Sequence, residues 1–258
     1  MIFRKANIDD ADAIAGLVKE AFADYHVEKM IYGCHGIVQY LKDQLSIDDD
    51  LSDAATFVAV LGSEICAVAQ FKRMQKNKTL YLNYICAAKR LRRKKMGSRL
   101  LGFSLENESY DYDRVALDVF ESNVNAKSWY DNLGFSLNEE KNWAVITPDK
   151  KDCDSGCLTD LPQSKTCYQK YGFSQLSVLT KSNTYTVGIL GDKYYRLSNG
   201  DILEDSAAIQ ALKRFDSKRK FLLITSMLPS FLEDVRVNRF AKTLNMSIDR
   251  AALQKKLS

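Results

Sequence analysis

The chain has 258 residues, 46% of them hydrophobic and 27% charged, enough to build one large core or two smaller ones. A net charge of +4 is too mild to make nucleic acid or a membrane surface the expected partner of the whole molecule. No apolar run approaches the ~20 residues of a spanning helix, and the first residues lack a secretory apolar stretch, so a cytoplasmic protein without a membrane partner is expected.

Residues 2–6 read as a first strand, after which Asp9 or Asp10 is placed to cap a helix with Ala13, Ile14, Leu17, Val18 and Ala21 on its apolar face. Residues 22–45 carry Tyr25, His26, Tyr32, His35 and Tyr40 and read as a second helical region; the ordinary role for both histidines is surface or packing. An acidic loop at 47–53 leads to strands at 56–61 and 64–71, joined by Gly62-Ser63, a two-residue hairpin signal. Of the six cysteines (34, 66, 86, 153, 157 and 167), Cys66 and Cys86 sit in apolar strand patterns, as buried reduced thiols do. Cys153, Cys157 and Cys167 have irregular spacing and no neighbouring histidine, so no metal site is expected.

Residues 79–101 read as a fourth strand running through a basic turn into a helix with Met96, Leu100 and Leu101 on one face. Such a junction leaves backbone N–H groups free at the helix start. The helix dipole and the basic side chains Lys89, Arg90, Arg92, Arg93, Lys94 and Lys95 favour an anion there, a phosphate or two joined phosphates. Taken alone, the basic run also fits a solvated face or a nucleic-acid patch. A fifth strand at 115–119 follows, then a helix at 125–133 and a sixth strand at 143–146.

Two motifs in this order carry a resemblance. Arg92-Arg93-Lys94-Lys95-Met96-Gly97 resembles the Arg/Gln-x-x-Gly-x-Gly/Ala loop of the GNAT superfamily of acyl-CoA-dependent N-acetyltransferases, with Lys95 in place of the first glycine. Asn123, Ala126, Tyr130, Gly134 and Phe135 match the family's Asn-x-x-Ala-x-x-x-Tyr-x-x-x-Gly-Phe pattern without a gap, beginning 26 residues after Gly97. The resemblance covers residues 1–146. It implies an α/β fold with a mixed, mostly antiparallel sheet flanked by helices and splayed between its fourth and fifth strands. It also implies acetyl transfer from acetyl-CoA to a primary amine by direct attack, without a covalent enzyme intermediate. Backbone N–H groups of Arg93, Lys94, Lys95, Met96, Gly97 and Ser98 would hold the coenzyme pyrophosphate, with Arg92 or a neighbouring lysine adding charge. Ile85, Cys86 and Ala87 at the end of the fourth strand would pair with the pantetheine. Tyr130 would be the general acid for the departing thiolate, its phenol staying protonated at neutral pH, or an aromatic filling the helix–sheet interface. Asn123 would bond the coenzyme or the backbone, or cap a helix. Asp118 matches the position of a glutamate base in the branch acting on ribosomal-protein N-termini, or is a strand-edge carboxylate with a structural partner; ordered water, Glu121 or Tyr84 are alternatives as base. Residues 22–45 would form a wall of the acceptor site.

Residues 148–162 are polar, begin and end on Pro148 and Pro162, and read as a linker, giving domains at 1–147 and 163–258. Residues 163–174 echo residues 125–136 at a constant offset of 38, with Lys, Tyr, Gly, Phe and Ser identical, which suggests a degenerate second copy of the family's C-terminal arm. Strands at 176–179, 185–190, 194–197 and 221–225 and helices at 202–215 and 231–244 complete the reading. No phosphate turn with the family's spacing appears after residue 150, so the second half would serve packing, dimerisation or substrate recognition. Two other readings remain at this stage: a catalytically silent acyl-CoA-binding or interaction module, and a nucleic-acid-binding protein using residues 89–95.

Overall fold

The computed structural model describes residues 1–92, 94–148, 156–227 and 236–257. The chain divides into two compact units of interleaved segments: 1–24, 38–139 and the stretch from Leu244 form the first, 25–37 with 140–243 the second. The division expected near residue 147 falls inside the second unit's long segment.

In the first unit, β1 (Ile2–Lys5), β2 (Ala54–Leu61), β3 (Glu64–Met74) and β4 (Thr79–Ala87) follow one another antiparallel, with Gly62-Ser63 as the expected two-residue turn. A right-handed helix, α4 (Met96–Glu106), crosses to β5 (Arg114–Phe120), which pairs parallel to β4. The sheet is therefore mixed and mostly antiparallel. Before β2 come α1 (Ala11–Ala21), the short α2 (Asp24–Val27) and α3 (Ile37–Leu45). The helical region expected over 22–45 is thus built of short pieces, with only a 3-10 turn at Ile31–Gly33 between α2 and α3. The reason is close backbone approach, since a Cβ on Gly33 or Gly36 would run into the carbonyls of Val27 and Lys170. Nor does Asp9 cap the first helix. Asn7 caps a preceding turn, and Asp10, though first in line, turns its carboxylate back to the Asn7 N–H and to Arg4.

Two features of β4 position everything that follows. Gln70 lies opposite Tyr84 while Phe71 lies opposite Leu82, so Asn83 is an extra residue, a β-bulge. Because side chains alternate, one extra residue flips the parity: Leu80 and Leu82 face the core before the bulge, and Ile85 and Ala87 face it afterwards. The parallel pairing with β5 then stops at Leu82 and Leu117, and beyond that point the two strands splay apart. The splay implied by the resemblance is present.

After β5, α5 (Val124–Leu133) leads into β6 (Ser136–Thr147), whose first residues belong to the first unit. The remaining contribution comes from the far end of the chain. The last residues of β12 (Arg236–Asp249) lie beside β5, and α8 (Arg250–Leu257) packs on α4 and α5. Leu244, Met246, Ile248 and Leu253 are buried in the same core as Leu100, Leu101, Val115, Leu117 and Tyr130. The sequence reading places a helix over 231–244 here. The structure corrects it to a strand because Leu244, Met246 and Ile248 alternate into a sheet-backed core; residues 231–235 of that expectation lie outside the described residues.

The second unit repeats the strand order of the first. β7 (Cys157–Thr159), β8 (Phe173–Leu179), β9 (Thr184–Leu190) and β10 (Tyr194–Leu197) pair antiparallel in succession. Then α7 (Ser206–Phe215) crosses to β11 (Lys220–Thr225), parallel to β10, and β11 pairs with the end of β6. Between β7 and β8 lies α6 (Leu161–Tyr171), the place that α1 to α3 hold between β1 and β2. The echo of 125–136 in 163–174 is therefore not a second C-terminal arm. Both stretches are helix ends closed by a left-handed glycine, Gly134 (φ 92) and Gly172 (φ 78), which is why they look alike. Pro162 opens α6 as its second residue instead of closing a linker, since the first turn needs no N–H from it. Residues 149–155 of the expected linker, with Cys153, lie outside the described residues.

Candidate active site

The end of β4, the turn after it and the start of α4 form one continuous feature. Ala88 closes β4 with its N–H on the Cys66 carbonyl (2.9 Å), and a 3-10 turn at Lys89–Leu91 buries Leu91 and leaves Lys89 and Arg90 outside. Arg90 is paired with Glu64 at 2.5 Å, whereas Lys89, Lys94 and Lys95 are exposed and make no ion pair among the described residues. Arg92 reaches back with Nε to the Ala87 carbonyl at 3.4 Å. Arg93 lies outside the described residues. Lys95 occupies the left-handed region (φ 58, ψ 15) directly before α4. A lysine there costs about 1–2 kcal/mol relative to a glycine, yet the turn keeps the conformation for which the expected glycine would have been chosen.

The start of α4 is uncapped: no described side chain bonds its first-turn N–H groups, and the first donor bonded within the turn is Arg99 N–H to the Lys95 carbonyl at 3.0 Å. The contrast within the molecule is informative. Asn123 caps α5 through Oδ1 to the Ala126 N–H (3.3 Å), and Asp205 caps α7 through the N–H groups of Ala207 and Ala208. At α4 the donors of Met96, Gly97 and Ser98 are left for something else, in a basic setting. That donor set fits a diphosphate. At α7, the corresponding helix of the second unit, a carboxylate of the chain itself fills the position.

Across the splay from β4 stands α5. Its Tyr130 is buried, packed edge-on against Phe135 (centroids 5.4 Å) and tilted against Trp129 (4.8 Å). Burial, reinforced by the Cys86 thiol, pushes the Tyr130 phenol well above its ordinary range, and burial pushes Cys86 itself up to about 12. Both groups stay protonated at neutral pH. Trp129 also reaches the start of α4, its Nε1 donating to Ser98 Oγ at 3.0 Å.

Asp118 is exposed on β5, on the face opposite Val115, Leu117 and Val119, and so away from the Tyr130 ring. Its carboxylate accepts from Asn245 Nδ2 at 2.8 Å and bonds the hydroxyl of Tyr81, which burial and then the Asp118 charge push far above its ordinary range. Asn245 also donates to the Leu117 carbonyl at 3.3 Å, fixing β12 to β5 at this point. Beside it, Phe22 at the end of α1 stands edge-on to both Tyr84 and Phe120 (6.1 and 6.3 Å), an aromatic group at the mouth of the splay.

The first unit thus brings together Ile85, Cys86, Ala87, Arg92, Lys94, Lys95, Met96, Gly97, Ser98 and Tyr130, with Asp118 on the far face of β5. Asn123 serves as the helix cap that was its alternative role. His26 is buried and His35 bonds the Gln169 carbonyl (3.2 Å); both belong to the second unit. Sequence reasoning missed Tyr81 and Asn245 as partners of Asp118, the latter because nothing local ties residue 245 to residue 118. Trp129 lay inside the recognised motif at a position the pattern leaves open.

The first unit thus joins a split between two parallel strands, an uncapped basic helix start at the end of the first and a buried tyrosine on the helix after the second. Comparison with known proteins gives the family. Residues 20–135 match the acetyltransferase (GNAT) family model, so the chain carries a GNAT acetyltransferase domain. A tandem GNAT protein from the clavulanic acid biosynthesis pathway superposes with a TM-score of 0.65 at 9% identity, over 96% of this chain and 98% of that one. A GCN5-related N-acetyltransferase from Sphaerobacter thermophilus gives 0.60 at 12% identity, over 96% and 95% of the two chains. At such identities the likeness concerns fold alone. No curated protein matches the sequence. Among the described residues no helix is long and apolar enough to cross a membrane.

Proposed function

We propose that the protein transfers an acetyl group from acetyl-CoA to a primary amine, using the first unit alone. The observation that carries this reading is the uncapped start of α4 behind a basic turn, set at the end of a strand that has parted from its neighbour. The N–H groups of Met96, Gly97 and Ser98 would hold the diphosphate, with Arg92, Lys94 and Lys95 adding charge. Beyond Leu82 the edge of β4 away from β3, at Ile85, Cys86 and Ala87, has no partner strand among the described residues and would pair with the pantetheine amides, each bond contributing about 0.5–1.5 kcal/mol. When bound, the coenzyme supplies the activated thioester.

Tyr130 donates a proton to the leaving sulfur. Its phenol remains protonated at any physiological pH and is held in a dry position, so the proton is available only where negative charge builds up. Asp118 accepts the proton of the attacking amine, held by Asn245 and Tyr81. Tyr130 and Asp118 stand on opposite faces of the sheet, so in this reading the amine approaches from the Asp118 side of the split. In the second unit the Asp205 carboxylate takes the helix-start donors, which supports one coenzyme site per chain.

The test is a thermal shift with acetyl-CoA beside a Gly97→Glu variant, followed by an amine panel. Ligand at ~100 times its dissociation constant stabilises the native state by about 2.7 kcal/mol. A shift in the wild type that the variant loses, with turnover on an amine, supports the reading. Binding without turnover on any amine turns it into a silent acyl-CoA-binding module, and no binding removes it.

A further inference from the structure

One hydrogen bond at the start of α4 is made by a group that can only donate. Trp129 Nε1–H points at Ser98 Oγ (3.0 Å), and a Cβ added to Gly97 would touch the same indole at 3.4–3.9 Å, so the ring lies closely along this turn. A serine hydroxyl has one proton and two acceptor lone pairs. Elsewhere in α4, Ser104 spends its proton on the Leu100 carbonyl one turn back (2.7 Å), the usual fate of a helical serine. Ser98 has no such bond among the described residues. With Trp129 occupying a lone pair, the proton of Ser98 is left to donate outward, beside the free N–H groups of Met96, Gly97 and Ser98.

We propose that Trp129 is a positioning residue for coenzyme binding: its indole N–H fixes the Ser98 hydroxyl as a donor to a diphosphate oxygen. This rests on the coenzyme reading given above and deepens it. A neutral acceptor such as a backbone carbonyl could not orient the hydroxyl this way, because it would take the proton itself.

The test is calorimetric titration of coenzyme A into the full-length wild type, Ser98→Ala, Ser98→Thr, Trp129→Phe and the Ser98→Ala/Trp129→Phe double variant, with circular dichroism of each. Losing one hydrogen bond to a charged oxygen weakens binding about tenfold. Ser98→Ala and Trp129→Phe are each expected to show this, the double variant to show no more than either alone, and Ser98→Thr to bind like the wild type. A loss of about a hundredfold in the double variant, the product of two independent effects, overturns the coupling. So does unchanged affinity in both single variants while the wild type binds. If Trp129→Phe fails to fold, the Ser98 pair decides: equal affinities of Ala and Thr variants overturn the proposal. A wild type that binds no coenzyme A overturns the coenzyme reading and this inference together.

Discussion

Tyr130 and Asp118 divide the proposed chemistry between one buried and one exposed residue, and each environment suits its task. The tyrosine must keep its proton at neutral pH until the thiolate forms, and burial, which pushes the phenol well above its ordinary range, keeps it there. Replacing it by phenylalanine keeps the ring packed on Phe135 and Trp129 and removes only the proton. Tyr130→Phe is expected to lower kcat by about 10²-fold or more, the usual range for a general acid, with the KM for acetyl-CoA unchanged. Steady-state kinetics at saturating amine decide it; equal kcat in the two proteins makes Tyr130 a packing residue. Both motif residues and the basic run were legible in the sequence because each is local. The left-handed turn at Lys95 was not, since lysine rarely adopts it without surrounding structure to hold it there.

At the scale of elements, the bulge in β4 bends the strand where its pairing with β5 ends. Asn83 carries no side-chain role that a sequence motif would reveal; what matters is that it is one residue too many. A variant lacking Asn83 should restore plain alternation with Leu82, Ile85 and Ala87 still on the core face, and so remove only the local bend and twist that the bulge gives β4 where its pairing with β5 ends. The expected outcome is loss of any thermal shift with acetyl-CoA, along with a lower melting temperature; a retained shift would separate the site from the bulge. The alternating run at 80–86 reads as a strand in sequence, but the extra residue is defined only against the partner β3. The helix expected at 231–244 failed for a related reason: a short apolar run carries both periodicities, and the sheet beside it selects one.

Across the whole molecule, two interactions tie distant parts of the chain into their units. In the second unit Glu28 pairs with Lys29 and Lys193, and these hold its carboxyl down to about 2, from 4.5. Lys29 is itself buried over the rings of Tyr194 and Phe240 (5.6 and 4.8 Å). A lowered folded-state value means that this stabilisation is fully present above pH 4.5 and lost as pH falls toward 2. Glu28→Gln should therefore melt below the wild type at pH 7, and the gap should close between pH 4.5 and 2; a gap that persists at pH 2 would mean a packing effect. In the first unit, ending the chain after Thr243 removes Leu244, Met246, Ile248 and Leu253 from the core around α4 and α5. Each such large apolar side chain contributes about 2–5 kcal/mol, against a total stability of about 5–15 kcal/mol. The truncated protein is expected to lose cooperative melting and coenzyme binding, as followed by circular dichroism and calorimetry. A cooperative transition with intact binding would show that the site stands without its last strand and helix.

By itself the sequence determined what is local: the strand–turn–helix with its basic anion-binding turn, the helix carrying Asn123, Tyr130 and Gly134, and the acetyltransferase resemblance that follows from their order. Those features depend on φ/ψ preferences, helix-end donors and side-chain spacing within one or two turns. Tertiary structure alone decided that Asn245 holds Asp118, that Trp129 meets Ser98, that residues 25–37 belong to the second unit, and that residues 157–225 repeat the fold's strand order from its beginning. Each of these is a meeting of segments far apart in the chain, fixed by burial and strand pairing, which depend on the partner surface and leave no periodic mark on the residues between.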